Sequence, residues 1–414
     1  SKKGLLSKKS NTGSIIMKIK SVKFNFIMNF ILTASNFIFP LITFPYVSRV
    51  LGASGTGKVS FAISVVSYFT MVAALGIPAY GIRTTAKVRD DQEKLNRTTQ
   101  EILSIHLFMM LLVSIVYILA ILFVPRFQSD RTLFLVVGVS ILLDPLGVNW
   151  LYQGLEQYGY IAKRSIFLKF VGVILMFMFI HSPDDYVFYG VTSILASAGS
   201  NVLNFINLRK YVSLKPVGHY DIKQHLKPIL ILFAQVVAVN IYTNLDNVML
   251  GFMKTDVDVG LYAAAVKVKT ILTSLVTSLG AVLLPRLSYY IMEGRKKEFQ
   301  TLIRNARDCL VFLSGKEFIG ATLAMQVIAP TIVLIGLSNL LGIQVLTPLN
   351  KEKQLVYSVV AGAVADLILN IIFIPKMGAA GASLGTLVAE FVVLIVQIMY
   401  LKDLFFKISK QVQY

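Results

Sequence analysis

The chain has 414 residues, 56% of them hydrophobic, a mean hydropathy of +0.71 and a formal net charge of +19. Repeated apolar runs of about 20 residues match the hydrocarbon thickness of a bilayer, which excludes an ordinary soluble protein and predicts an all-α polytopic membrane protein. Cys309 is the single cysteine, which excludes an intramolecular disulfide framework and a cysteine-based metal site.

Hydropathy predicts eleven membrane-spanning helices. The predicted spans are 25–50, 58–82, 102–124, 132–154, 162–181, 186–208, 228–252, 258–284, 320–346, 355–375 and 379–401. The basic segment 1–23 runs into the first span without a cleavage signal, so we expect it to stay in the cytoplasm.

Basic residues cluster in alternate loops through the first eight predicted spans, including the group from Lys163 to Lys169. Loops rich in Lys and Arg stay inside, so this bias places the N-terminus in the cytoplasm. The bias fails later, because eleven spans would place Lys351 and Lys402 outside and Lys376 inside. A twelfth span would restore the bias, so we predict that a membrane-crossing stretch is missing from this chain near 313–315 and that both termini are cytoplasmic.

Polar residues follow one stripe of the first span, and two prolines interrupt its outer half. The stripe contains Asn25, Asn29, Asn36 and Thr43, and the prolines are Pro40 and Pro45. Proline removes a helix hydrogen bond, so we expect a bend there, either a gating hinge or a static kink. In the fourth span, the pairs 144–145 and 149–150 either bend the helix or line a cavity.

Charged residues inside the seventh and eighth spans are the first functional candidates. A charge at the bilayer centre costs roughly 2.5–3.5 kcal/mol, so Asp246 and Lys267 are expected to face a partner or water. Helical spacing places Gln235 and Tyr242 on the face of Asp246, and places Thr270, Ser274, Thr277 and Ser278 on the face of Lys267. The stripes predict a hydrated cavity. The alternative is a buried structural pair of Asp246 with Lys267, while Lys269, on the opposite face, is interpreted as snorkelling or structural.

The last spans repeat this pattern with acidic residues. Asp366 and Asn370 are four residues apart, and a second stripe contains Ser383, Thr386, Glu390 and Gln397. A carboxylate inside a span is costly unless it is neutralised, so Asp366 and Glu390 are candidate proton or cation sites. The alternative for both is structural hydrogen bonding.

Segment 52–59 nearly matches the phosphate loop G-x-x-x-x-G-K-[ST]. Val59 replaces the hydroxyl residue that would bind magnesium, and membrane spans flank the segment, so we interpret it as a flexible outer turn. The loops are too short for a catalytic domain, and the four histidines lack metal-ligand spacing. We expect neither an enzyme nor nucleotide hydrolysis, and no cofactor or metal.

Short patterns recur in the same order in the two halves of the chain. The matching pairs are 50–52 and 249–251, then Gly57 and Gly260, Ala62 and Ala265, and 146–149 and 341–344. This recurrence predicts two six-helix lobes in parallel repeat, at 1–210 and 211–414, with a substrate path between them.

In combination these motifs resemble the polysaccharide or oligosaccharide flippases (Wzx type) of the MOP superfamily, which also contains MATE drug exporters and lipid II flippases. The resemblance covers roughly residues 20–403. It is carried by 44–52 with Gly57, and by 75–83, 244–251, 259–265 and 329–344. The family has twelve spans, so the resemblance also implies that this chain lacks the ninth.

The resemblance implies a V-shaped pair of lobes in the bacterial cytoplasmic membrane. Such proteins move an undecaprenyl-diphosphate-linked oligosaccharide from the inner to the outer leaflet by alternating access, for capsule, exopolysaccharide or O-antigen assembly. The implied partners are membrane lipids, a polysaccharide polymerase and glycosyltransferases, and no nucleic acid. The alternatives are a MATE-like exporter of cationic drugs, a lipid II flippase and a non-transporting scaffold of a synthesis complex.

A diphosphate requires cationic donors, so Lys267 is the first candidate for binding it, followed by Arg49 and Arg83, for which the alternative is interfacial anchoring. The polar stripes that would contact sugars are represented by Asn36, Tyr242 and Ser274. The candidates for ion coupling are Asp246, Asp366 and Glu390.

Overall fold

The structure is a computed structural model that describes residues 21–273, 313–346 and 351–412. Within these ranges every regular element is helical and no β-strand occurs, which confirms the all-α prediction. Ser274, Thr277, Ser278 and Cys309 lie outside the described residues, and so does the end of the eighth predicted span.

The N-terminal half of the chain forms nine helices. They are α1 (Val22–Ala74), α2 (Ile77–Val88), α3 (Gln92–Phe123), α4 (Pro125–Gln128), α5 (Arg131–Gly147), α6 (Asn149–Gly154), α7 (Tyr158–Phe179), α8 (Tyr186–Ala198) and α9 (Ser200–Leu208). A 3₁₀ turn, Pro183–Asp185, precedes α8.

The described C-terminal half continues with six helices. They are α10 (Lys223–Met253), α11 (256–273), α12 (Thr322–Ile328), α13 (Thr331–Asn339), α14 (Glu352–Met377) and α15 (Ala379–Val412). A 3₁₀ helix, Lys316–Ala321, precedes α12, and a π-helix, Leu340–Leu346, follows α13.

The first two predicted spans are the two limbs of α1. Its backbone leaves helical geometry at Gly52, where φ is +66° and ψ is −172°. Pro40 and Pro45 lie inside the first limb and keep helical geometry. The break therefore forms at the residue that tolerates positive φ, and not at the prolines as the sequence analysis expected.

Six helices in the described ranges are long and apolar enough to cross a membrane, and a seventh is added if the bent pair Lys316–Ile328 and Thr331–Gly342 is one span. This number is lower than the eleven predicted spans for four reasons. The eighth predicted span, 258–284, is described only to residue 273, and α11 carries four charged residues. Both limbs of α1 and α2 form one stretch, Lys23–Val88. Helix α7 carries three basic residues, and α8 and α9 are each too short to cross alone. The chain is a multi-pass membrane protein.

One hydrophobic core contains buried residues of both halves. In the N-terminal half α1 packs on α3, α5, α7 and α8, around aromatic residues such as Phe61, Phe127 and Phe134. In the C-terminal half α14 and α15 form an antiparallel pair, joined at Gly378, whose φ is +55°. The halves meet mainly where α10 packs on α1 and α2.

Two glycines bring the halves into close contact at one end of the molecule, the predicted outer end. A Cβ on Gly57 would lie 1.8 Å from the Asp256 carbonyl oxygen, and a Cβ on Gly260 would lie 1.9 Å from the carbonyl oxygen of Ala53. Only glycine allows two backbones to approach this closely. Glu317 adds a polar contact, since its Oε1 accepts a hydrogen bond of 3.0 Å from the Ala53 amide.

Arg126 joins the halves at the same end. Its guanidinium pairs with Asp256, its Nε donates to the Gly251 carbonyl at 2.9 Å, and it lies 5.0 Å from the ring centroid of Phe61. The outer end is therefore closed in this structure by backbone contact together with an ion pair.

A buried carboxylate joins the halves at the opposite, predicted inner end. Glu101 on α3 is 1% exposed and accepts hydrogen bonds from His225 Nε2 at 2.8 Å, the Asp221 amide at 2.7 Å and Arg97 Nε at 3.2 Å. His225 Nδ1 lies 2.7 Å from the Tyr80 hydroxyl. A carboxylate only accepts hydrogen bonds, so His225 Nε2 donates to Glu101, while Nδ1 shares a second hydrogen bond with the Tyr80 hydroxyl.

We expect Glu101→Ala to lower the free energy of unfolding by roughly 3 kcal/mol, because removing one partner of a buried pair leaves its donors unsatisfied. Thermal unfolding in detergent measures the change. Glu93→Ala is the matched control, because Glu93 is an exposed glutamate in the first turn of the same helix. An equal melting temperature for both variants would show that the Glu101 contacts do not hold the inner end together.

Candidate functional site

A buried carboxylate on α10 lies at the centre of a polar cluster in the C-terminal half. Asp246 is 6% exposed and accepts hydrogen bonds from the Tyr262 hydroxyl of α11, the Asn370 amide of α14 and the Thr386 hydroxyl of α15, the last at 2.8 Å. Tyr262 and Thr386 also bond each other at 2.9 Å. Four helices thus converge on one carboxylate, and its hydrogen bonds come from neutral donors.

A second buried carboxylate lies against the first. Asp366 on α14 is 1% exposed and lies at hydrogen-bonding range of Asp246. Neither oxygen of Asp366 receives a hydrogen bond from a donor among the described residues. Gly385 of α15 permits the approach, because a Cβ there would lie 2.9 Å from Asp366 Oδ1. Two adjacent buried carboxylates need a proton or a cation to offset their repulsion.

Glu390 and Lys269 extend this cluster towards the inner end. Glu390 is 6% exposed and lines a cavity of about 420 Å³ together with Ser338, Asn339 and Gln397. Lys269 is attracted electrostatically by Glu390, Asp246 and Asp366. Lys269 is thus the α11 lysine on which the charges of these acids act, although no ion pair joins them among the described residues, and its snorkelling or structural role stays a prediction.

The structure thus brings together the three residues predicted for ion coupling, Asp246, Asp366 and Glu390. The polar groups of the Asp246 cluster are carboxylates, hydroxyls and an amide. Their oxygen atoms suit a proton or a hard cation. The described residues contain no group of three or more His, Cys, Asp or Glu side chains that could hold a metal ion. Their role in coupling stays a prediction.

A cavity of about 480 Å³ is lined by α1, α2, α5, α6, α8 and α9 of the N-terminal half, and α10 of the C-terminal half bounds it on one side. The polar residues that line it are Ser67, Thr70, Ser140, Asp144, Asn149, Ser197, Asn201 and Asn240. Asp144 is the charged residue in this lining. Asp144 and Asn149 therefore line the cavity, which was one of the two alternatives for the fourth span.

The fourth predicted span also bends. Helix α5 ends and α6 begins at Val148, whose φ of 40° and ψ of 33° are left-handed. That conformation is strained for a β-branched residue, and such strain is concentrated at functional sites. The break turns Asn149 towards Arg164 of α7, whose guanidinium donates to Asn149 Oδ1 and to Ser200 Oγ. Arg164 is 7% exposed, so it is not one of the inner loop residues with which the sequence analysis had grouped it.

The predicted diphosphate ligands do not converge on one site. Lys267 is half-buried on α11 and is not among the described residues that line the central cavity. Arg49 is exposed at the outer end, where its Nη1 donates to the Pro45 carbonyl at 2.9 Å. Arg83 is exposed on α2. The Asp246–Lys267 pair, offered as the alternative for these two residues, is wrong, because Asp246 bonds to Tyr262, Asn370 and Thr386.

The predicted sugar ligands are also dispersed. Asn36 is exposed on α1, where its Oδ1 accepts a hydrogen bond from Lys169 of α7. Tyr242 lies on α10, but its side chain and that of Gln235 are outside the described part of the protein, and Ser274 lies outside it altogether. The sugar-binding role of these residues stays a prediction.

Sequence reasoning missed the buried histidines. His106 on α3 is 3% exposed and its Nε2 lies 3.1 Å from Asp144 Oδ2, although the ring N–H does not point at that oxygen. His225 contacts Glu101, as described above. Glu101 and His106 both lie at the start of an apolar span. A charged or polar residue at such a position needs a partner, and this cost was the signal that could have identified them from the sequence.

Residues 22–291 match a family described as polysaccharide biosynthesis protein. Two curated relatives are each 24% identical and are each called "Putative O-antigen transporter". The relative from Escherichia coli (strain K12) aligns over 92% of this chain and 97% of its own length, and the relative from Shigella dysenteriae over 92% and 100%.

Solved structures share the fold. The lipid II flippase MurJ in its inward closed conformation matches with a TM-score of 0.67 and 14% identity, over 92% of this chain and 87% of its own. An inward-facing MATE family multidrug transporter of the MOP superfamily matches with a TM-score of 0.62 and 14% identity, over 92% and 98%. These matches confirm the predicted MOP-type architecture.

The alignment with the E. coli relative also bears on the missing span. It covers 407 positions but only 92% of the 414 residues of this chain, or about 381, so about 26 positions have no counterpart here. That number is close to the length of one membrane span. Nothing shows that these positions are contiguous, so the absence of a span and its placement near 313–315 stay predictions.

Proposed function

Because the chain belongs to the polysaccharide biosynthesis protein family, we propose that it is a flippase for undecaprenyl-diphosphate-linked oligosaccharides in the bacterial cytoplasmic membrane. The curated relatives are named as transporters, which agrees with the expectation of a protein that is not an enzyme. The observations that carry the proposal are a cavity against α10 whose lining contains eight polar residues, and the contact between the two halves at the outer end through Gly57 and Gly260. A hydrated sugar chain requires such a shielded path, while the polyprenyl tail can stay in lipid.

Alternating access requires the contacts at the two ends to open in turn, and both ends are joined in this structure, the inner end also by the close approach of Gly76 to the Ile229 carbonyl oxygen. The outer end is closed by backbone packing, with Arg126 and Asp256 paired, and these contacts join residues of different halves. Opening that end requires the halves to separate there and to stay joined at the inner end, where Glu101 binds His225. Such rigid-body rocking of two lobes is the common transport motion of repeat-built transporters.

Lys267 is the proposed contact for the diphosphate. It lies on α11, the helix that follows α10 in the chain, and its ammonium has no hydrogen bond or ion pair within the described part of the chain. A diphosphate supplies the anionic oxygens that such an ammonium requires. Arg49 and Arg83, exposed at opposite ends of the early helices, are suited to attract the headgroup on release and on entry.

The buried carboxylates supply the proposed coupling site. No phosphate loop is intact, so the energy must come from an ion gradient or the membrane potential. One charge that crosses 100 mV is worth about 2.3 kcal/mol. A proton or monovalent cation bound between Asp246 and Asp366 would carry that charge, with Glu390 and Lys269 next along the cluster.

We expect Lys267→Ala to reduce flipping in reconstituted vesicles by about tenfold, and Lys267→Arg to retain most of it, because arginine also binds diphosphate oxygens. The assay measures the arrival of lipid-linked oligosaccharide at the outer leaflet. Lys376→Ala, at an exposed outer turn, is the control. Unchanged flipping by Lys267→Ala would contradict the role of Lys267 as the diphosphate ligand.

One observation favours a second candidate function. Asp144 is the charged residue of the cavity lining, and a carboxylate suits the cationic drugs that MATE-like exporters carry. The drug-exporter proposal would replace the flippase proposal under two results. The unaltered protein would export a cationic dye but flip no lipid-linked oligosaccharide, and Asp144→Asn would lose dye export. A scaffold would instead keep its cellular function in the Lys267→Ala, Asp246→Ala double variant.

A further inference from the structure

One wall of the central cavity is organised from behind by a buried arginine. We call the residues Asp144, Asn149 and Asn201 the amide wall. Arg164 lies behind this wall, 7% exposed, and none of the described carboxylates pairs with it. Its Nη2 donates to Asn149 Oδ1, its Nη1 donates to Ser200 Oγ, and its Nε has no acceptor. A cation buried at this cost is expected to have a function.

Arg164 determines which way the amides of the wall point. A guanidinium only donates hydrogen bonds, so the Asn149 atom that faces it must be the oxygen. Asn204 Nδ2 donates to the same oxygen at 3.2 Å, which leaves the Asn149 NH₂ group directed away from Arg164. That NH₂ group lies 3.4 Å from Asn201 Oδ1, so the Asn201 NH₂ group is free to face the cavity.

The wall therefore offers hydrogen-bond donors beside an acceptor. Asn149 and Asn201 present N–H groups, and the Asp144 carboxylate accepts. A sugar hydroxyl is both a donor and an acceptor, so neighbouring hydroxyls can bond to an amide and to a carboxylate at once. A diphosphate has acceptors only, and Asp144 would repel it.

The charges around the amide wall also favour a neutral ligand. Arg164 is positive and Asp144 is negative, and the other polar residues that line the cavity are neutral. His106, beside Asp144, is the remaining titratable group that packs on the wall. The wall thus carries a balanced pair of charges, which does not select for an anionic ligand.

We propose that the amide wall is the subsite for hydroxyl groups of a neutral sugar of the transported lipid, and that Arg164 is its positioning residue. This proposal rests on the proposed flippase function and deepens it, because it separates the sugar subsite from the diphosphate subsite at Lys267. Arg164 does not touch the ligand. It acts by holding Asn149 in the orientation that presents N–H to the cavity.

The deciding variant is Asn149→Asp. Aspartate keeps the acceptor for Arg164 and Asn204, so the fold is retained, but it replaces the donor that faces the cavity by an acceptor. Trp150, the single tryptophan of the chain and the neighbour of residue 149, reports binding through its fluorescence. The two probes are lipid-linked oligosaccharide extracted from cells that produce this protein, and undecaprenyl diphosphate without sugar.

We expect Asn149→Asp to weaken binding of the lipid-linked oligosaccharide by about tenfold and to change binding of the sugar-free lipid by less than about twofold. Equal weakening for both probes, or no weakening for either, would overturn the proposal. Binding is measured without transport, so an unaltered protein that binds the oligosaccharide but flips neither lipid would refute the proposed function and leave the subsite standing.

The positioning role of Arg164 is tested by a double-mutant cycle. Arg164→Met frees Asn149 to rotate, so we expect a selective loss for the sugar-bearing probe that is smaller than the loss in Asn149→Asp. The double variant should bind no more weakly than Asn149→Asp alone, because Arg164 acts through Asn149. Additive losses would overturn this part of the proposal. A purely structural arginine would lower the affinity for both probes alike.

Discussion

Asp246→Asn is expected to abolish voltage-driven flipping while the protein stays folded. At 100 mV the outer-to-inner ratio of flipped substrate should fall by up to about 40-fold, because one charge moved across this potential is worth about 2.3 kcal/mol and each 1.4 kcal/mol is tenfold. The measurement is substrate distribution in vesicles with and without an imposed potential.

The folded state should survive this change for two reasons. Asparagine removes the repulsion between residues 246 and 366, and Asn370 Oδ1, which has no donor among the described residues, can accept from the new amide after its own amide rotates. Asp184→Asn, at an exposed turn, is the control for loss of one negative charge. Full voltage dependence in Asp246→Asn would refute coupling at this carboxylate.

Gly57→Ala is expected to prevent the outer end from closing. The added Cβ would lie 1.8 Å from the Asp256 carbonyl oxygen and 2.8 Å from the Gly260 amide nitrogen, and both are backbone atoms that cannot turn away. Overpacking of this kind costs typically 1–3 kcal/mol, which lowers the population of the closed state by up to about 150-fold. Helix pairs within each half, such as α14 with α15, do not depend on this contact, so we expect the halves to separate at this end without unfolding.

Spin labels measure this separation. With Cys309 replaced by Ser, labels at Ser129 and Thr255 lie at the exposed outer end, one on each half. We expect their distance to increase in Gly57→Ala and flipping to be lost. Ser54→Ala, at an exposed position of the same helix, should change neither. An unchanged label distance in Gly57→Ala would mean that the glycine contact does not control closure.

The acidic residues of the cluster can be identified from the sequence, because the free-energy cost of burying a charge depends only on the apolar run around it. A carboxylate in an apolar run needs a partner or water wherever the helix lies, so Asp246, Asp366 and Glu390 could be identified without a structure. Helical spacing also grouped Asp366 with Asn370, and both lie at the cluster. Spacing does not say which neighbouring helix a face meets, and this explains why Lys267 was preferred to Lys269.

The amino-acid sequence by itself determined the membrane class, the all-α architecture and the family, because hydropathy, span length and short motifs depend on residues close together in the chain. Only the tertiary structure decided that Arg164 is buried behind Asn149, that His225 binds Glu101, and that Gly57 meets Asp256. These contacts join residues from different helices, and they depend on the rotation and depth of each helix, which are set by packing and not by local sequence.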